Sequence, residues 1–112
     1  MKRGDVYFAD LSGTRGSEQA GRRPVLILQN DSLSRYSRTI VVIPFTETLR
    51  RAGIPGCVFV NQGDGGLLQD SVALGYQIRV LDKSRFIQYL GHLSDDMIRK
   101  IEEAVKLTLD IN

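Results

Sequence analysis

Apolar residues come in short bursts through most of this chain, then switch to helical spacing near its end, and that switch predicts the architecture. Residues 5–11, with Val6, Tyr7 and Phe8, suit a first strand. Residues 25–29 begin Val25-Leu26-Ile27-Leu28, four consecutive apolar side chains bounded by turn residues. Such a run predicts a strand buried on both faces. Ile40-Val41-Val42-Ile43 gives the same reading for 39–45, and runs at 57–61, 71–74, 77–81 and 86–90 complete a strand-rich body. Pro24 cannot donate to a sheet ladder, so it is expected at the first strand position, where the preceding loop ends.

Between the bursts lie two long loops. Residues 12–22 form a stretch of eleven, long enough that a compact domain usually has a use for it. Residues 46–56 form the second, punctuated by Gly53, Pro55 and Gly56. Residues 30–38 read as a turn or short helical excursion, and Gly63-Asp64-Gly65-Gly66 as a plain hairpin turn. At Ser94 the period changes. Ser94 is an N-cap followed by Asp95 and Asp96, and Met97, Ile101, Ala104, Val105, Thr108 and Leu109 recur at three- and four-residue spacing to about Asp110. Six or seven short strands with one late amphipathic helix predict a mainly β (α+β) fold, a strongly bent sheet or small barrel, and exclude a βαβ array.

Composition adds limits. At 112 residues the chain is expected to be one domain over 1–112, with an ordinary globular balance of apolar and charged residues. No apolar run approaches the ~20 residues of a membrane span, so no membrane partner is expected. The start Met-Lys-Arg-Gly-Asp has no apolar stretch behind it, which predicts no secretory signal and a cytoplasmic protein. Arg3-Gly4-Asp5 is then a chance match to an adhesion tripeptide. Cys57 is the only cysteine, which argues against disulfides and thiolate clusters.

Net charge is only +2, but it is unevenly distributed. Residues 1–51 hold nine Lys/Arg against five Asp/Glu, and residues 52–112 hold six against eight. The excess is carried by Arg3, Arg15, Arg22, Arg23, Arg35, Arg38, Arg50 and Arg51, which suggests either a local face for an anionic ligand or scattered solubilising charge.

The inventory of reactive groups is short. One histidine, His92, excludes an imidazole acid–base pair and reads as a structural turn residue. There is no His-Glu-x-x-His, no paired cysteine and no dense carboxylate cluster, so no metal and no cofactor are expected. What stands out is Gly16 to Asp31, where a polar, glycine-bounded loop delivers Arg22 and Arg23 into the buried strand. Arg23 sits where a flexible loop meets a rigid strand, and a planar, permanently charged fork held there suits a phosphate. Ser17, Glu18 and Gln19 lie in the loop before it, and Thr46 lies where the third strand runs into its own loop.

These residues carry a resemblance. Arg3-Gly4-Asp5-Val6-Tyr7-Phe8-Ala9-Asp10-Leu11, Gly16-Ser17-Glu18-Gln19, Arg23-Pro24-Val25-Leu26, Gln29-Asn30-Asp31, Asp70-Ser71-Val72, Gln77-Ile78-Arg79 and Asp82-Lys83-Ser84-Arg85 follow one family pattern in register. The chain resembles the MazF/PemK toxins of bacterial toxin–antitoxin pairs. The resemblance implies an SH3-like barrel with a C-terminal helix, a homodimer, and metal-independent, sequence-specific cleavage of single-stranded RNA, chiefly messenger RNA. It also implies a cognate antitoxin, and loop arginines that attract RNA phosphates should attract its disordered, acidic and hydrophobic tail by the same field. Family catalytic positions map onto Arg23 and Thr46, and Glu18 matches an acid suspected of proton transfer. Ser17 and Gln19 orient the loop or touch the RNA backbone on this reading, joined by Arg22 and Arg50. Tyr7, Tyr36 and Phe45 are candidates for stacking on splayed bases, although Phe45 reads better as core. The match is weak over 49–66 and loose at Arg22.

Two other classes compete. Related barrels in the CcdB toxins poison DNA gyrase without being enzymes, through a tryptophan close to the C-terminus. This chain contains no Trp and ends Leu109-Asp110-Ile111-Asn112. A plain SH3-like binding module would use the same arginine to grip a partner's carboxylate.

Overall fold

Both continuous apolar runs are strands covered on two sides. The computed structural model describes residues 1–13 and 15–112, so position 14, inside the predicted loop 12–22, lies outside the described residues. Strands β1 (Asp5–Asp10), β2 (Arg22–Ile27) and β3 (Thr39–Thr46) are followed by β4 (Cys57–Val60), β5 (Ser71–Leu74), β6 (Arg79–Asp82) and β7 (Phe86–His92). Helix α1 (Asp31–Ser34) is a single turn after β2, and α2 (Asp95–Leu109) ends the fold. All pairings are antiparallel, in the order β4-β5-β3-β2-β1-β7, with β6 paired to the start of β3 on the edge opposite β2.

Side chains alternate across the central strands into two separate cores. Val6, Leu26, Ile43 and Phe45 point to one, completed by Leu93 and by Ile101 of α2. Ala9, Val25, Ile27, Ile40 and Val42 point to the other, with Leu11 and Leu81. That is why 25–27 and 40–43 show no polar alternation.

Pro24 is the third residue of β2, not the first. The Leu11 N–H donates to the Gly21 carbonyl (2.8 Å), which makes 11 and 21 a hydrogen-bonded pair. By alternation the Phe8–Pro24 pair is then non-hydrogen-bonded, and the proline nitrogen faces away from β1. On that side the ladder to β3 starts only at Val25, so no donor is missed and the strand extends back to Arg22. Arg23 is thus a ladder residue, opposite Ala9.

The sheet bends strongly but is not closed by strand pairing. Its outer strands are joined instead by the turn after β4. Gly65 and Gly66 lie so close to β7 that a Cβ on Gly66 would come within 2.0 Å of the Leu90 carbonyl oxygen, and one on Gly91 within 2.7 Å of the Gly65 carbonyl carbon. Asp64 of that turn accepts hydrogen bonds from the Ser94 N–H (3.0 Å) and hydroxyl (3.1 Å), which fixes the start of α2. Ser94 caps the helix, as its sequence predicts, and Arg3 reaches Glu102 across the same junction (2.6 Å). His92 ends β7 with its Nδ1 2.9 Å from the buried Asp5 carboxylate, a structural tie between the outer strand and β1.

Candidate active site

A row of paired residues crosses the sheet at mid-height. Pro24 of β2 stands opposite Phe8 of β1, and Phe8 opposite Gln88 of β7. Directly paired residues project from the same face, so these three form the floor of a shared concavity. Its volume is about 220 Å³. Phe45, Leu67, Leu68 and Leu90 add apolar wall, while Arg22, Arg23, Thr46, Glu47, Gln69 and Ser71 bring polar groups to it. An apolar floor with convergent polar groups at its rim suits a ligand that has a flat apolar part and an anionic part.

Arg23 is aimed by its own loop. Its Nε donates to the Ala20 carbonyl (3.1 Å), which leaves the two terminal amino groups as the free end of the fork. Thr46 ends β3 and is only 5% exposed. Its Oγ1 accepts a hydrogen bond from the Thr48 N–H (3.2 Å), so the hydroxyl proton remains available to donate. Arg23 reaches the cavity from a position that alternation assigns to the other face, whereas Arg22 shares the cavity face with Pro24, two residues on. The Arg22 charge is shared with Asp10, the residue paired to it in β1. Hydrogen bonds from Ser12 hold the Asp10 carboxyl below the usual carboxylate range, and the Arg22 and Arg85 charges lower it further.

The structure therefore brings Arg22, Arg23 and Thr46 together and keeps other sequence candidates apart. Among the described residues, Ser17, Glu18, Gln19, Tyr7 and Arg50 do not line the cavity. Ser17 and Glu18 are exposed in the loop before β2, and Gln19 is half-buried there through its backbone contacts. Tyr7 packs edge-on against Phe86 and Tyr89, and burial, followed by the Asp5 charge, raises its phenol above the ordinary value. Arg50 is exposed in a 3₁₀ turn, Leu49–Gly53. Tyr36 is 85% exposed after α1, whereas Phe45 is core and cavity wall at once. Nor do the eight arginines form one face: Arg3 pairs with Glu102, and Arg35 lines a separate groove with Lys2 and Lys83.

Several cavity residues have no signal of their own in the sequence. Gln88 faces the cavity from β7 but is exposed like its neighbours Ile87 and Tyr89, so burial patterning does not mark it. Glu47 follows Thr46 directly. Gln77 and Arg79 were legible only as part of a family pattern, yet they grip the loop before Arg23. Gln77 Oε1 accepts from the Gln19 N–H (2.8 Å), and Arg79 Nη1 donates to the Gln19 carbonyl (3.2 Å).

Comparisons with known proteins place the chain in a family. A family model described as PemK-like, MazF-like toxin of type II toxin–antitoxin system matches residues 2–109. Endoribonuclease EndoA of Bacillus subtilis is 46% identical over 97% of this chain and 94% of its own length. Endoribonuclease MazF of Staphylococcus saprophyticus is 44% identical over 100% of this chain and 93% of its own. An endoribonuclease solved in complex with its cognate antitoxin, from a mycobacterial species, superposes with a TM-score of 0.84 at 28% identity, covering 100% of this chain and 97% of that one. A family match over nearly the full chain, two relatives well above 40% identity and a shared fold make the conclusion firm: the chain belongs to the PemK-like, MazF-like toxins of type II toxin–antitoxin systems.

Proposed function

We propose that this chain is an endoribonuclease toxin that cuts single-stranded RNA at specific sequences through the cavity below Arg23 and Thr46. The observation that carries the reading is the meeting of an oriented guanidinium and a nearly buried hydroxyl over an apolar floor. RNA contains its own nucleophile. The 2′-oxygen attacks the adjacent phosphorus as a base takes its proton, the P–O5′ bond breaks, and the leaving 5′-oxygen is protonated. The products are a 2′,3′-cyclic phosphate, or the 3′-phosphate it opens to, and a 5′-hydroxyl.

The enzyme's work is to align that attack and to hold the extra negative charge on phosphorus. The free end of the Arg23 fork supplies two parallel donors to the phosphorane, and Thr46 donates a third. Arg23 is a poor proton acceptor, because guanidinium does not readily deprotonate. Glu18 is the family-matched base, and Glu47 competes for that role because it borders the cavity. The route asks nothing of a metal, and among the described residues no three His, Cys, Asp or Glu side chains converge to hold one. Phe8 and Pro24 offer apolar surface to a base, and Arg22 and Arg50 draw in the phosphate backbone.

The same reading includes a homodimer and an antitoxin. Leu107 and Leu109 of helix α2, with Ile111 just after it, are half or more exposed, beside a groove lined by Leu28, Val41, Ile78 and Val105, which is surplus apolar surface for a lone chain. An acidic, hydrophobic antitoxin tail would compete with RNA for the arginines, and its binding should weaken as salt rises. The gyrase-poison reading lacks its tryptophan, and no feature of the cavity favours it. The test is cleavage of a long mixed RNA in EDTA with mapping of the ends. Unimpaired cutting with 5′-hydroxyl ends, abolished by a 2′-deoxy substitution at the scissile nucleotide, is expected. A 5′-phosphate product, or cleavage of the deoxy substrate, overturns the mechanism.

A further inference from the structure

The loop before β2 is anchored from outside. Gly16 and Gly21, both at positive φ (58° and 74°), stand at its two ends and leave the segment between them free to swing about either. What stops it is one side chain about sixty positions away. Gln77 takes the Gln19 N–H on its Oε1 (2.8 Å) and gives an Nε2 proton to the Ser17 carbonyl (3.2 Å). The amide thus ties down two backbone groups that flank Glu18, one donor and one acceptor. Its second Nε2 proton reaches the Tyr76 hydroxyl (3.3 Å), which also takes a proton from Arg51 (2.6 Å) in the other long loop. Arg79 adds a third grip, on the Gln19 carbonyl.

One residue beyond Gln19, the Ala20 carbonyl accepts the Arg23 Nε–H. Gln77 fixes Ser17 and Gln19, Ala20 follows Gln19, and Ala20 aims Arg23. We infer that Gln77 is a positioning residue for RNA cleavage: its side-chain amide holds the loop whose Ala20 carbonyl orients the Arg23 fork. This rests on the endoribonuclease reading above. Gln77 need not touch RNA to act. Its contribution is to keep the free end of the guanidinium where phosphorane charge develops, and small misplacements of such a donor cost large factors in rate.

The variants Gln77→Ala and Gln77→Glu separate this role from simple support of the fold. Alanine removes both hydrogen bonds to the loop, and the one to the Tyr76 hydroxyl with them. Glutamate keeps an acceptor for the Gln19 N–H but faces the Ser17 carbonyl with no donor. In Gln77→Ala, single-turnover cleavage should fall about tenfold to a hundredfold. Affinity for a 2′-deoxy, uncleavable RNA should stay within about twofold, because the loop's charges remain. Hydrogen exchange of the Gln19 amide and of the Arg23 Nε–H, followed by NMR, should quicken about tenfold or more. Gln77→Glu should keep the Gln19 amide protected and recover only part of the rate. Wild-type cleavage by Gln77→Ala overturns the inference. So does a slowed rate with both protons exchanging as in the wild type. If Gln77→Ala does not fold, Gln77→Glu decides by the same two readouts. If the wild-type chain cuts no RNA at all, the functional reading fails, and exchange at Gln19 and Arg23 alone decides whether Gln77 holds the loop.

Discussion

Two long loops flank one cavity, each brings arginines to it or near it, and they are built on opposite plans. The loop before β2 is gripped through its backbone by Gln77 and Arg79 and runs directly into the ladder, so Arg23 projects from a paired strand position. The loop after β3 starts from Thr46, which accepts the Thr48 N–H, and then folds into its own 3₁₀ turn. That turn is tied to the rest through Arg51 and the Tyr76 hydroxyl, while Arg50 is left exposed in its middle. A charge rooted in a ladder and hydrogen-bonded at its Nε can be aimed. A charge at the tip of a solvated side chain attracts phosphate without choosing an angle. Catalysis needs the first kind, and steering needs only the second.

The contrast is broken most directly at Arg23. Arg23→Ala should lower single-turnover cleavage by about 10²–10³, the ~3–4 kcal/mol of one lost oxyanion donor. Arg23→Lys should rescue poorly, because a point charge cannot reproduce two parallel donors. Melting temperature should hardly move in either variant. Equal single-turnover rates for Arg23→Ala and the wild type at saturating enzyme would reduce this residue to an anchor.

Thr46→Val comes next. It keeps the shape of a residue only 5% exposed while removing the hydroxyl. One neutral donor is worth less than a charged pair, so a rate loss of about tenfold to a hundredfold is expected, between those of Arg23→Ala and Arg22→Ala. The loss should appear in the rate at saturating enzyme and leave affinity for uncleavable RNA nearly unchanged. A loss confined to affinity would move Thr46 from chemistry to binding.

How much of this was readable beforehand depends on the range of the interaction involved. The strands around 25–27 and 40–43, the Ser94 cap and the course of α2 follow from patterns within a few residues, and each appears where those patterns put it. Pro24 misled because a proline rules out only one side of a strand, and which side stays open depends on where β3 begins to pair. Gly65 and Gly66 had a sufficient local explanation as a turn, which concealed that they seal the sheet against Leu90 and Gly91. Arg23 and Thr46 were legible as loop–strand joints and by family resemblance. The grip of Gln77 and Arg79 was not, since it spans about sixty positions and a polar residue beside a short strand looks like ordinary solvent-facing alternation.

Arg22 tests whether neighbouring arginines can differ in kind while sharing one cavity. It lines the space with Arg23, yet it stands opposite Asp10, whose carboxylate stays ionised and takes up part of its field. Arg22→Ala should therefore cost only a few-fold in rate, far less than Arg23→Ala. Its larger effect should be on binding, where losing one phosphate contact reduces the slope of log affinity against log salt by about 0.7. Matching losses of rate in the two variants would mean that position on the ladder does not matter.

The smallest effect is expected at Arg50, and it sharpens the comparison most because it isolates steering. Arg50 is exposed in the 3₁₀ turn Leu49–Gly53 and lies outside the cavity wall. Removing it takes away one exposed positive charge without disturbing Arg23, Thr46 or the rest of the cavity wall. Arg50→Ala should leave the single-turnover rate at saturating enzyme unchanged. The association rate at low salt should fall about two- to threefold, and that difference should vanish as ionic strength shortens the reach of the charge to about 3 Å at 1 M. Stopped-flow binding of a fluorescent, uncleavable RNA across a salt series measures this directly. A drop in the saturated rate would show that the second loop also aims a charge, and the division between an aimed loop and an attracting loop would fail.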